Sequence, residues 1–252
     1  MMAAENPSER AEIMIGAITP MLTGLSHVAV GSSSPIPGSA ALLARALTGG
    51  KLRVSLLGSR KHNPFTDGGK ELFDCAAEGR IDAFFLSGGQ IDGHGNINLV
   101  GTGDYPRSDM RFPGSFGSAY LYHLIPRVIL FREEHTPRTL VERVDFISAA
   151  GHSPQDEYRV GGPYALVTGL CVFGYDKAKS GFRLQSCHPG VDAGGVKEKT
   201  GFAYDTAADV GETPRLGPEV FELLRGRVAH EIAETYPAFA ARMWGIDRVD
   251  AT

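Results

Sequence analysis

Four short loops of small residues hold most of the chemistry this sequence can offer: Gly31-Ser32-Ser33-Ser34, Gly58-Ser59-Arg60-Lys61-His62, Ser87-Gly88-Gly89-Gln90 and Pro113-Gly114-Ser115-Phe116-Gly117-Ser118. Backbone N–H groups there can approach a ligand closely because few bulky side chains stand in the way. Ahead of a helix, such donors stabilise negative charge, whether a phosphate or a developing oxyanion. A single loop of this kind usually does no more than turn the chain. Four at successive strand ends predict a common pocket beyond the carboxyl edge of a sheet. The residues expected to line it are Gly31, Ser32, Gly58, Gly88, Gly89, Gln90, Gly114, Ser115, Phe116, Gly117 and Ser118.

Single residues add less. Arg111, two positions before the Pro113 loop, is either an anchor for a carboxylate or phosphate or an ordinary surface residue. His94, in a Gly-His-Gly turn, reads as solvent-exposed rather than catalytic, and Glu133-Glu134-His135 reads as a charged loop rather than an acid/base cluster. Trp244 and the helix around Phe239 are expected to pack or to cover an interface. The chain has neither GxGxxG opening a first helix nor GxxxxGK[ST], and neither HExxH nor GxSxG. Dinucleotide, P-loop and the commonest hydrolase signatures are therefore set aside.

The elements that must position these loops follow from periodicity and turn chemistry. Asn6-Pro7-Ser8-Glu9 starts a helix whose apolar positions run on to Leu22. His27-Val28-Ala29-Val30, a loop, and a helix over residues 38–47 form the front half of a βαβ unit. Strands are expected over residues 52–57, 82–86 and 127–131, and helices over 70–79 and 120–124. Gly93-His94-Gly95 reads as the turn of a hairpin, and residues 102–112 as a polar loop. The last third carries strand-like runs at 165–168, 170–175 and 182–185, then helical patterns at 192–199 and 218–244. The prediction is one α/β domain over residues 1–252 with an open, mostly parallel sheet and antiparallel additions. Only the first several and last few residues read as loose.

Composition limits the partners. A net charge of −4 argues against a nucleic-acid or anionic-membrane surface. No apolar run approaches the roughly 20 residues that cross a bilayer, and the N-terminus lacks a signal-peptide pattern. Three cysteines without a CxxC pair give no zinc ligand set and suit a reduced, cytoplasmic protein.

In their order and spacing, the motifs resemble the family I coenzyme A transferases, chiefly β subunits of the glutaconate CoA-transferase type. Ser87-Gly88-Gly89-Gln90-Ile91-Asp92 with Gly95-Asn96-Ile97-Asn98 resembles that family's GGAQxD…GNxN hairpin. Gly103-Asp104-Tyr105 and the stretch from Arg111 through Ala119 resemble its GDY and RFxGSGGA segments. Val144-Asp145-Phe146-Ile147 is similar to a later strand of the family, and His188-Pro189-Gly190-Val191 and Val196 through Phe202 to its closing element.

The resemblance implies a CoA-transferase-type fold, an acyl-CoA substrate, no permanently bound cofactor or metal, and a separately encoded α-type subunit in a heterotetramer. It also implies a glutamate nucleophile after the second strand, where this chain reads Gly58-Ser59-Arg60. No Glu occurs between Glu12 and Glu71. Ser59 is a poor replacement, since it needs a base and none is evident beside it; His62 lies three residues on. The pattern resembles the family's non-transferring offshoots, a steroid ring-opening CoA hydrolase and a glutaconyl-CoA-type decarboxylase. There the acid/base carboxylate would come from the α subunit, with glycine-loop donors and a cation such as Arg111 from this chain. CoA transfer with a glutamate from elsewhere in the complex is the alternative. A non-catalytic small-molecule regulator is a second one.

Overall fold

The computed structural model describes residues 7–154 and 156–246. The start expected at Asn6 and the looseness expected of the extreme ends lie outside those residues. In chain order the elements are α1 (Pro7–Ile18), β1 (His27–Val30), α2 (Pro35–Leu47), β2 (Arg53–Leu56), α3 (Gly68–Ala77) and β3 (Ala83–Leu86). Two small hairpins follow, β4 (Gln90–Ile91) with β5 (Ile97–Asn98) and β6 (Gly101–Thr102) with β7 (Met110–Arg111). Then come α4 (Ser118–Leu124), β8 (Arg127–Arg132), β9 (Pro163–Thr168), β10 (Cys171–Asp176), β11 (Gly181–Cys187), α5 (Ala193–Lys199) and β12 (Asp205–Glu212). The chain closes with α6 (Pro218–Leu223), α7 (Ala229–Ala233) and α8 (Pro237–Trp244), a π-helical turn over Leu224–Val228 joining α6 to α7.

The principal sheet has eight strands in the order β12-β11-β10-β9-β8-β3-β1-β2. Parallel pairing of β1 with β2 and β3, and of β8 with β9, gives the α/β character; β10 runs antiparallel to both β9 and β11. By packing, the chain falls into two compact units that interleave in sequence.

The first unit takes the described residues up to Thr66, Ile81–Ala83, and those from Pro214 on. Its β1 is buried at all four positions, and after His27, whose ring nitrogen lies 2.7 Å from Ser55 Oγ, Val28-Ala29-Val30 run on without polar alternation. The α1 helix is buried from Ala11 through Ile18. That stretch includes a carboxylate: Glu12, 3% exposed, accepts both Arg225 Nε and a terminal guanidinium nitrogen at 2.7 and 2.8 Å, and Trp244 Nε1 at 3.0 Å. An ionised carboxylate cannot be buried alone, so this bidentate pair ties the closing helices to α1. Trp244 therefore packs within the chain. The α2 helix lies close to its neighbours because Gly38 has no side chain; a Cβ there would stand 3.0 Å from Ile232 Cδ1 and 3.3 Å from Leu56 Cδ1.

The second unit takes Asp67–Arg80 and Phe84–Thr213. Phe173, Phe182 and Phe202 form an aromatic core beside β10 and β11, with ring centroids 5.6–6.1 Å apart. Three expectations change here. Residues 144–147 form no strand: the Asp145 N–H donates to Gln90 Oε1 at 3.0 Å, and its carboxylate accepts from Gln90 Nε2 at 3.1 Å and from the Gly103 N–H at 2.9 Å. Side-chain bonds thus replace a ladder, leaving only isolated bridges at Leu140 and Ala149. The loop expected over residues 102–112 contains the β6/β7 hairpin. Strand β12 was not expected, because Asp205 to Glu212 is polar and largely exposed at the sheet's edge. Among the described residues, no helix is long and apolar enough to cross a membrane.

Candidate functional site

In the first unit, the loops after β1 and β2 are both held by the turn between α7 and α8. Tyr236 accepts the Ser34 N–H at 3.3 Å through its hydroxyl, which also donates to the Gly31 carbonyl at 3.4 Å. After β2, Gly58 takes a φ of 89°, a left-handed conformation that costs a side-chain-bearing residue energy. This turn drops Ser59 into the interior, 4% exposed. Its hydroxyl donates to Glu234 Oε2 at 2.7 Å and accepts the N–H groups of Lys61 and His62 at 3.2 and 3.0 Å.

Glu234 corrects the expectation that no base stands beside Ser59. Its carboxylate also accepts the Arg60 N–H at 2.7 Å and the Thr235 hydroxyl at 2.9 Å. Partial burial pushes the Glu234 carboxyl upward, but hydrogen bonds from Arg60, Ser59 and Thr235 outweigh it and hold the pKa below the ordinary value. The group is a fixed anion. Ser59, donating to it and accepting two N–H groups, is a pin that closes the turn rather than an exposed nucleophile. Local sequence reasoning could not find Glu234 or Tyr236, which come from the far end of the chain and carry no motif.

In the second unit, the loop after β3 and the Pro113 loop converge. A Cβ on Gly89 would collide with the ring of Phe112, so this glycine is required for packing. Gln90 is buried, and both ends of its amide are engaged: Oε1 accepts from Asn98 Nδ2 at 2.7 Å and from the Asp145 N–H, and Nε2 donates to Asp145. It anchors the β4/β5 hairpin. The N–H groups of Gly89, Gly114 and Ser118 bind the carbonyls of Asn98, Leu99 and Ser115 at 2.9, 3.0 and 2.8 Å. Those of Ser115, Phe116 and Gly117 have no backbone partner among the described residues. Phe116 is 84% exposed at a φ of 41°, with its ring tilted against Phe73 at 5.5 Å between centroids. The residue thus holds its exposed ring at a backbone conformation that side-chain-bearing residues sparsely populate. Arg111 is exposed, its guanidinium 3.3 Å from the Pro106 carbonyl and 5.8 Å from the Tyr105 ring.

His94 is exposed, as expected. The Glu133-Glu134-His135 segment divides. Glu134 pairs with Arg132 and Arg138 at 3.1 and 2.8 Å, which is the expected charged loop. His135 instead is 6% exposed, with its ring nitrogens 2.7 Å from Thr168 Oγ1 and 2.9 Å from Thr200 Oγ1.

An open α/β sheet with glycine loops at its strand ends is the class of fold in which ligands gather beyond the carboxyl ends of the strands. Within that class the assignment is specific: the coenzyme A transferase family model matches residues 12–199, and the chain belongs to that family. It is 35% identical over 162 residues to the B subunit of 3-oxoadipate CoA-transferase from Pseudomonas knackmussii, covering 62% of each chain. It is 29% identical over 151 residues to the cholesterol ring-cleaving hydrolase IpdB subunit of Mycobacterium tuberculosis, covering 58% of each. The matches thus span about six tenths of the length of these curated relatives. Among solved structures, the decarboxylase AibA/AibB superposes with a TM-score of 0.72 at 25% identity, covering 94% of this chain and 99% of that one.

Proposed function

We propose that this chain is the β-type subunit of a two-subunit enzyme that acts on an acyl-CoA thioester by hydrolase or lyase chemistry, on a carboxylated or cyclic acyl group. The observation that carries the reading is the turn after β2. It has no glutamate of its own, Ser59 is buried and hydrogen-bonded at every position, and the carboxylate that reaches it, Glu234, is held by three donors. A carboxylate stabilised in this way is a weak nucleophile, because each donor must be given up before it can attack. The relatives named as a hydrolase subunit and as a decarboxylase support chemistry other than transfer.

In this account the acid/base carboxylate comes from the α-type subunit. The N–H groups of Ser115, Phe116 and Gly117 offer donors for an oxyanion or enolate, and Arg111 offers an exposed cation for the acyl carboxylate. No cofactor is required; coenzyme A enters as part of the substrate. A second reading, CoA transfer, is favoured by the likeness to the B subunit of a transferase, with Glu234 as the carboxylate to watch.

The test is to co-purify the chain with its partner subunit and supply candidate acyl-CoA thioesters with and without an acceptor acid. Release of free CoA or of carbon dioxide independent of the acceptor is the expected result. Strict dependence on the acceptor, with CoA moving onto it, would establish the second reading.

A further inference from the structure

The outer edge of β2 carries a feature that the catalytic account does not use. A groove of about 360 Å³ is lined there by Arg45, Lys51, Arg53, Lys61 and His62 together with uncharged neighbours, and by no carboxylate. The cationic groups come from three places: the last turn of α2, the start of β2, and the segment that folds back along β2 through the bond from the Leu56 N–H to the His62 carbonyl at 2.9 Å. In a chain of net charge −4 such local concentration of positive charge is a reversal.

A solvated basic face is the ordinary explanation, and the carbonyl end of α2 accounts for Arg45. It does not account for Lys51, Arg53 and Lys61, which have no ion pair among the described residues. The nearest carboxylate is Glu231, 3.9 Å from Arg45 and 3.7 Å from His62, and it is already bound by Arg227 at 2.9 Å. His62 Nε2 is buried without a hydrogen-bond partner. Converging cations left unneutralised repel one another unless an anion joins them, and guanidinium groups match phosphate oxygens.

We propose that this groove binds the diphosphate or clustered phosphates of a small-molecule ligand through Arg45, Lys51, Arg53, Lys61 and His62. Two sources share that chemistry: the nucleotide end of an acyl-CoA, which rests on the function proposed above, and a free phosphorylated metabolite, which does not.

Isothermal titration of the full chain with inorganic diphosphate tests the site directly. One saturable site per chain is expected, weakened at least tenfold in the Arg53→Ala/Lys61→Ala double variant and weakened also in Lys51→Ala. These side chains are exposed, so the circular dichroism spectrum should be unchanged. Coenzyme A and pantetheine then separate the sources. Loss of affinity for coenzyme A but not pantetheine assigns the groove to the nucleotide end. Loss for diphosphate alone assigns it to a free metabolite. No saturable heat, or equal diphosphate affinity in wild type and both variants, overturns the proposal. Acyl-CoA turnover is not read in the diphosphate arm, so either proposal can fail without the other.

Discussion

The hydroxyl of Ser59 donates to the carboxylate of Glu234 at 2.7 Å across 175 residues of sequence. Together with the Arg60 N–H on the same carboxylate, this bond fixes the turn at the end of β2 where a family I transferase would be expected to present its nucleophile. Glu234→Ala removes the acceptor of the inward Ser59 hydroxyl proton and leaves the Arg60 N–H without its carboxylate partner. Denaturant midpoints should show a loss of about 1–3 kcal/mol. Turnover of the assembled enzyme should fall less than tenfold. Complete loss of turnover in a folded variant would make Glu234 a reacting group.

Arg225→Ala strips the bidentate partner from Glu12, which is 3% exposed. Breaking a buried pair costs several kcal/mol because the remaining charge is uncompensated. The Arg225 side chain is 58% exposed, and Trp244 still donates to Glu12, so the expected loss falls below the roughly 3–5 kcal/mol of a fully buried pair, to about 2 kcal/mol. Urea unfolding measures it. A change below half that would show that the pair is not a determinant of helix docking.

Phe116→Gly relieves the positive φ and gives up the contact with Phe73. These effects oppose, so stability should move by no more than about 1 kcal/mol. If the Pro113 loop contacts substrate, kcat/KM should fall about two- to tenfold, since an aromatic contact contributes about 0.5–1.5 kcal/mol. Unchanged kinetics would remove the loop from the site.

The His135 ring is held neutral: burial, then the charge of Lys199, lowers its pKa from 6.5 to about 4. The folded state thus binds fewer protons than the unfolded one between those values. The stability His135 contributes is complete above pH 6.5 and lost as pH falls through about 4, amounting to about 3 kcal/mol. Denaturant midpoints of wild type and His135→Gln, measured from pH 7.5 to 4, should converge as the pH drops. Parallel curves would contradict this.

Much of the scaffold was legible because local physics decided it. Strand β3 is a fully apolar buried run, β1 and β2 are short and mostly buried between small-residue turns, and the Gly93-His94-Gly95 turn closes the β4/β5 hairpin. Residues 144–147 looked equally strand-like, yet Asp145 bonds the Gln90 side chain instead of a neighbouring strand, a choice made by residues far away in sequence. Strand β12 failed in the opposite direction, being an edge strand with no apolar alternation to reveal it. The order of the loop motifs gave the family. Glu234 and Tyr236, which set the two loops of the first unit, had no local signature, because only the folded chain carries them there.

Intact-mass spectrometry of this chain during turnover with its partner, after quenching with borohydride or hydroxylamine, is the sharpest test of the function proposed. Chemistry without a glutamyl thioester on this polypeptide leaves its mass unchanged throughout turnover. A covalent CoA adduct or its reduced or hydroxamate form, mapped to Glu234 or to any other carboxylate of the chain, would contradict it.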